Sequence, residues 1–398
     1  MTLRLSRRAA ALTPSSTASV GRAVKALRAT GVDVVDFGVG EPDFGTPEFV
    51  GRAGIAAIER GLTKYTDNAG DPALRDAIAQ KYRREQGASC ARENVVVTAG
   101  AKQAVFNACQ ALFEEGDEVL VFSPYWVSFP EIVRLSGATP VLVPTQLEKG
   151  WAPTAAALDR LAGPATRGVI VNSPNNPTGA VVERAELEKI LAWCRDRGVF
   201  LIFDETYDHF LYDGLRHVSA AAFWKEHADR IVVTGAASKT YAMTGWRLGW
   251  ALGPARLMAA MADFQGHSTS NASSISQEAA RAALTDLAHS DESVKGMLAE
   301  YARRREAMVG GLTAVDGVLC GKPQGAFYAF ANVSALYGPR KVTGSAAFCE
   351  RLLSEAHIAA VPGDAFGDDA CVRFSFATAF DRITEGLGRF TRWAKAGS

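Results

Sequence analysis

From residue 95 onward the chain alternates short runs of consecutive apolar residues with stretches in which apolar residues recur every three or four positions. The runs are VVVTA (95–99), EVLVFS (118–123), TPVLVPT (139–145), GVIVNS (168–173), FLIFDE (200–205), RIVVTG (230–235) and LGWALG (248–253). Several are apolar at successive rather than alternate positions, as strands covered on both faces must be. Helical patterns fill 102–114, 183–197 and 255–265. This alternation predicts a mostly parallel α/β sheet. After about residue 290 the pattern changes: a long amphipathic helix (292–312), then GAFYAFANV, a helix near 346–356, the runs IAAVPG and VRFSFA, and a final helix (381–394). That predicts a smaller α+β domain. The expected division is an N-terminal arm belonging partly to the small domain (1–45), a large domain (46–290) and a small C-terminal domain (291–398), since 398 residues exceed the size at which one core usually splits.

The first twenty residues carry Arg4, Arg7 and Arg8, but Thr13, Pro14, Ser15 and Ser16 interrupt any apolar core. A short helix and a loop are expected there rather than a signal peptide. No apolar run is long enough to span a bilayer. Lys+Arg and Asp+Glu number 43 each. That balance argues against a broad nucleic-acid or anionic-membrane surface and leaves room for a small basic pocket. The six cysteines are scattered, with no CxxC or Cys/His cluster, which argues against zinc and a disulfide framework and fits the cytoplasm.

In an open α/β sheet, ligands sit beyond the carboxyl ends of the strands. The first run is followed by Gly100, Ala101 and a helix start, whose free N–H groups suit a phosphate. The second is followed by Tyr125 and Trp126, the fourth by Asn175 and Asn176, the fifth ends in Asp204 and Glu205 with Tyr207 beyond, and the sixth is followed by Ser238 and Lys239, with Arg247 beyond. Singly, each has an ordinary role: a strand-end carboxylate capping a turn, an aromatic in the core, a solvated or ion-paired lysine. One ligand fits them all. Pyridoxal phosphate has a phosphate for the helix N-terminus and Arg247, a ring for Trp126 to stack on, and a phenolic oxygen for Asn176 and Tyr207. Its protonated ring nitrogen suits Asp204, and its aldehyde suits a Schiff base with Lys239, which then shuttles the proton.

The motifs GEPDF (40–44), KYTDNAG (64–70), SPYW (123–126), NSPNNPTG (172–179), DETY (204–207), SKTYAMTGWRLGW (238–250) and VRFSFA (372–377) stand in an order and spacing that resemble the class I aminotransferases of pyridoxal-phosphate fold type I, over essentially the whole chain. The resemblance implies Lys239 as the Schiff-base lysine and Asp204, Tyr207, Asn176 and Arg247 as cofactor-binding residues. Gly100, Ala101 and Lys102 fall where the family's backbone amides hold phosphate. Tyr65 matches a tyrosine that reaches the phosphate of the neighbouring subunit, so a homodimer with shared active sites is implied. Arg373 matches the clamp on the substrate α-carboxylate, with Gly40 and Asn176 at the same end. Ala236 departs from a serine common in the family, which shifts phosphate binding toward Arg247, Ser238 and backbone amides. Lys102, with Ser16 and Thr17 from a Ser/Thr-rich loop, resembles the branch that contains bacterial aspartate and prephenate aminotransferases, where a lysine contacts a distal carboxylate.

The expected reaction is ping-pong transfer of an amino group from aspartate or glutamate to a 2-oxo acid. Aromatic, kynurenine-type or prephenate substrates, a lyase reaction on the same scaffold, and a non-catalytic regulator remain as alternatives. His209 and His217 are expected at the surface or in packing, without a ligand role.

Overall fold

The computed structural model describes residues 3–12 and 16–396. All seven apolar runs become strands of one sheet. Across it they lie in the order Val95–Thr98, Gly249–Leu252, Ile231–Ala236, Phe200–Asp204, Thr166–Asn172, Glu118–Ser123 and Thr139–Pro144. Only Gly249–Leu252 runs antiparallel to its neighbours. Two cores explain the successive apolar positions. Val169, Val171, Leu201 and Phe203 pack into one, while Ile170 and Ile202, between them in sequence, pack into the other. The first core is closed by the helices Pro72–Gln86, Arg184–Arg197 and Ser274–Thr285, the second by Ala101–Leu112 and Ala255–Gly266. Burial of each such side chain contributes about 1.5–3 kcal/mol, so this double-faced sheet is the rigid base from which the strand ends project.

After the sheet, a four-stranded antiparallel sheet orders Val361–Pro362, Cys371–Ser375, Tyr328–Asn332 and Leu319–Cys320. The helices Leu287–Thr313, Gly344–Ala356 and Phe380–Lys395 accompany it. Val35–Asp36 pairs in parallel with Ile358–Ala359, and Arg382 and Arg389 both bond the Asp33 carboxylate. These contacts support our proposal that residues 1–45 belong partly to the smaller domain. The other proposed boundary, at 290, falls inside the continuous helix Leu287–Thr313.

The N-terminal loop needs correcting. Ser16–Ala29 is a helix, so Ser16 and Thr17 open its first turn; residues 13–15 lie outside the described residues. Val20, Val24 and Leu27 recur on one face and pack against Val34, Leu353 and Ala359. Ser and Thr are favoured at helix starts as well as in loops, and the apolar spacing behind them decides for the helix. No helix among the described residues is long and apolar enough to cross a membrane.

Candidate active site

Residues that end or follow five of the strands line one cavity of about 780 Å³: Ala101 and Lys102, Trp126, Asn172 and Asn176, Asp204 and Tyr207, and Ala236, Ser238 and Lys239. The helix Ser16–Ala29, the segment 36–41, Tyr328 and Arg373 close the other side.

Lys239 lies in the short helix Ala237–Thr240, directly after the strand Ile231–Ala236. Its Nζ donates to the Gly40 carbonyl oxygen at 2.6 Å. Burial lowers its pKa to about 8; Arg247 and Arg373 push the same way, against Glu41 and Asp204. The result is an amine with a substantial neutral fraction near neutral pH, the form that attacks a carbonyl. Asp204 ends the central strand and is buried. Its Oδ1 accepts from the Thr206 backbone N–H (3.0 Å) and hydroxyl (2.7 Å). Burial raises its pKa to about 6 against these bonds, so it lacks a strong cationic partner in the protein. The hydroxyls of Tyr207 and Tyr328 share a hydrogen bond at 2.8 Å. Burial raises the Tyr207 pKa well above its ordinary value, which keeps the phenol protonated as a donor.

Arg373 is 2% exposed. Its Nη1 donates to Asn176 Oδ1 at 3.0 Å and its Nη2 to the Gly38 carbonyl at 2.9 Å, while Nε has no partner. Its guanidinium lies 4.4 Å from the Tyr328 ring centroid and 5.0 Å from that of Phe366. Among the described residues no carboxylate pairs with it. A buried guanidinium with neutral partners only is costly unless an anion completes it.

A second candidate anion site lines the same cavity. Gly100 caps the helix Ala101–Leu112 at φ +87°, where a side chain is disfavoured, and a Cβ there would meet Arg247 Nη2 at 2.5 Å. A Cβ on Gly249 would come within 2.4 Å of the Ala101 nitrogen. These two glycines let the helix N-terminus and Arg247 approach each other. Among the described residues Arg247 bonds only carbonyl oxygens, of Thr244 (3.1 Å) and Ala99 (3.2 Å). Ala101 and Lys102 keep the unpaired N–H groups of a first helical turn. The donor set suits a phosphate. Lys102 Nζ stands 5.1 Å from the Trp126 ring centroid; burial and Arg247 lower its pKa, and it has no ion pair among the described residues.

Not every expected residue arrives. Gly100 shapes the wall without lining it, and Ser16 is outside the lining although Thr17 is in it. Tyr65, expected at the neighbouring subunit's site, is 88% exposed and does not line this cavity. Trp126, not Tyr125, lines the cavity. His209 and His217, expected at the surface or in packing, are both half-buried: His217 Nε2 lies 2.9 Å from Glu205 and His209 Nδ1 2.8 Å from Asp208. Thr206, Tyr328, Asp36, Lys25 and Arg28 were missed. Thr206 was findable, because a hydroxyl two residues after an aspartate is a turn signal. Tyr328 sits in an apolar strand whose facing partner only the fold supplies.

The sequence profile of the family described as "Aminotransferase class I and II" matches residues 32–389. The chain is 44% identical to the aspartate/prephenate aminotransferase of Thermus thermophilus, covering 98% of each chain. It is 40% identical to the aspartate aminotransferase of Geobacillus stearothermophilus, over 99% of this chain and 100% of that one. A solved structure titled aspartate aminotransferase from Thermus thermophilus with maleate superposes with a TM-score of 0.93 at 41% identity, covering 98% of this chain and all of that one.

Proposed function

This chain belongs to the class I and II aminotransferases, and from that premise we propose that it is a pyridoxal-5'-phosphate-dependent aspartate aminotransferase. The observation that carries the substrate reading is that Arg373, a fully buried guanidinium, and Lys102 line the same cavity, and among the described residues neither has a carboxylate partner. Two cations at one cavity suit a substrate with two carboxylates. The Thermus thermophilus structure was solved with maleate, itself a dicarboxylate.

The residues present fit the cofactor. Arg247, the Ser238 hydroxyl and the amides of Ala101 and Lys102 would hold its phosphate. Trp126 would cover the ring, Asn176 and Tyr207 would bond the phenolic oxygen, and Asp204 would pair with the ring nitrogen. Bound there, it supplies a ring that draws electron density from the substrate α-carbon. Asp204, which burial leaves with a pKa of about 6, ionises fully once it faces a cation. Lys239 provides the amine that anchors the cofactor. Its free amine would take the proton from the substrate α-carbon. Arg373 orients the α-carboxylate, and Lys102 with Thr17 selects the distal one. The amino group leaves one amino acid and reaches a 2-oxo acid in two half-reactions.

Prephenate is the second reading. The name of the Thermus thermophilus relative favours it, as do the further cations Lys25 and Arg28 on the cavity wall. Tyr65, fully outward, supports a homodimer in which it serves the partner's site; exposed Ile55 and Ile58 offer an apolar face nearby in sequence. Six unpaired cysteines suit the cytoplasm. An absorbance titration of the loaded enzyme with aspartate, glutamate, phenylalanine, kynurenine and alanine tests the substrate. Conversion by the two acidic donors at the lowest concentrations, with that preference lost in Lys102→Ala, is expected. An aromatic donor converting first would overturn it.

A further inference from the structure

Beneath the cavity floor lies an ionic cluster that plays no part in the chemistry above. Lys81, on the helix Pro72–Gln86, is 4% exposed, and its Nζ donates to Glu85 Oε2 (2.6 Å) and Asp208 Oδ2 (2.8 Å). The other oxygen of Asp208 accepts from the Thr240 hydroxyl at 3.1 Å and lies 2.8 Å from His209 Nδ1. Glu85, Asp208 and His209 come close enough to share a cation, but the Lys81 ammonium already bonds both carboxylates. Burial works to raise the Asp208 pKa, and His209 and Lys81 outweigh it, so the carboxylate stays charged. Its sequence position gives the cluster meaning: Asp208 follows Tyr207, and Thr240 follows Lys239.

We propose that Asp208, anchored by Lys81, is a positioning residue that holds the Lys239 turn against the Tyr207 turn through the Thr240 hydroxyl. Among the described residues, no other side-chain hydrogen bond ties these two turns together. The strands that bear them, Phe200–Asp204 and Ile231–Ala236, pair only as far as Asp204 with Thr234, so beyond that register the segments need another link. A flexible four-carbon side chain reaches its target from a backbone that is fixed, and about one hydrogen bond's worth of restraint is at stake. The inference rests on Lys239 being the reacting amine.

The test uses the loaded enzyme and the near-isosteric Thr240→Val, which removes the hydroxyl but not the volume. A kcat about five- to tenfold lower is expected, with KM for aspartate little changed, because Arg373 and Lys102 are untouched. The midpoint of the pH-dependent absorbance change of the Lys239-linked cofactor should move by about half a unit or more, a readout that a loss of stability alone does not shift. Thr240→Ser should restore both. In an Asp208→Asn background, Thr240→Val should cost less than in the native protein. Unchanged kcat and midpoint in Thr240→Val, or a Ser variant as impaired as Val, overturns the proposal. Lys239→Ala run alongside separates the two ideas: turnover surviving there sinks the functional reading itself, whereas a dead Lys239→Ala with an unaltered Thr240→Val sinks only the clamp.

Discussion

Lys81 and Lys239 are both enclosed by the fold, and their surroundings are opposite. Lys81 has two carboxylates on its ammonium; burial alone would lower its pKa, and Asp208 and Glu85 carry it above the ordinary lysine value. Lys239 has a carbonyl oxygen, and burial prevails, down to about 8. Two arginines repeat the contrast. Arg305, as buried as Arg373, is bonded by both oxygens of Asp213 and by Glu306, whereas among the described residues Arg373 meets only neutral acceptors. In the scaffold a buried cation is neutralised where it stands. In the cavity the neutralising charge is left for a ligand to bring, which keeps the amine reactive and the guanidinium available.

The contrast breaks most visibly at Lys239. Lys239→Ala should lower kcat by at least about ten-thousandfold in steady-state assays, since the nucleophile and the proton carrier go together. Next, Arg373→Met should lower kcat/KM for aspartate by about a hundred- to a thousandfold. It should leave the melting temperature of the unliganded protein unchanged or raised, because it removes a buried charge that lacks its counter-ion. Lys81→Met should do the reverse in denaturant titrations, a loss of about 3–5 kcal/mol, because it strands the Asp208 and Glu85 carboxylates beside each other. Equal stability losses in these two variants would erase the distinction between scaffold and site.

Smaller effects sharpen it. Lys102→Ala should raise KM for aspartate about tenfold and leave alanine, which has no distal carboxylate, nearly unaffected in parallel kinetics. Last comes the pH profile of Lys239 acylation in unloaded protein, followed by peptide mass spectrometry. The rate should rise through pH 8 and then level, where an ordinary lysine keeps rising beyond pH 10. The sign for stability follows: the folded value lies below the unfolded one, so the unfolded chain binds more protons between about pH 8 and 10.4, and the Lys239 contribution to stability increases with pH across that window.

Much of this was legible in the chain. Successive apolar positions reported a sheet covered on both faces, and residues following the strand ends reported one cavity, because both are local patterns with a fixed period or offset. Ser16 and Thr17 were misplaced into a loop, since the same short polar side chains open helices and turns alike. The carboxylate partners of His209 and His217 were not legible, because Asp208 and Glu205 gain weight only once burial is known. Tyr328 was invisible, being one aromatic in an apolar strand until the Tyr207 hydroxyl comes to meet it across 121 residues of chain.

Residue types, their spacing along strands and helices, and the order of the motifs determined the sheet, the family and the choice of Lys239 as the lysine we propose to react, because each depends on neighbours within a few positions. Which cations are paired and which are left open was decided only by the tertiary structure. Arg305 and Arg373 are the same residue in strings of ordinary neighbours. One meets Asp213 across 92 positions, and the other meets Asn176 across 197. Charge is carried by the residue, but its compensation is a property of distance in space, and distances between remote segments exist only after the chain has folded.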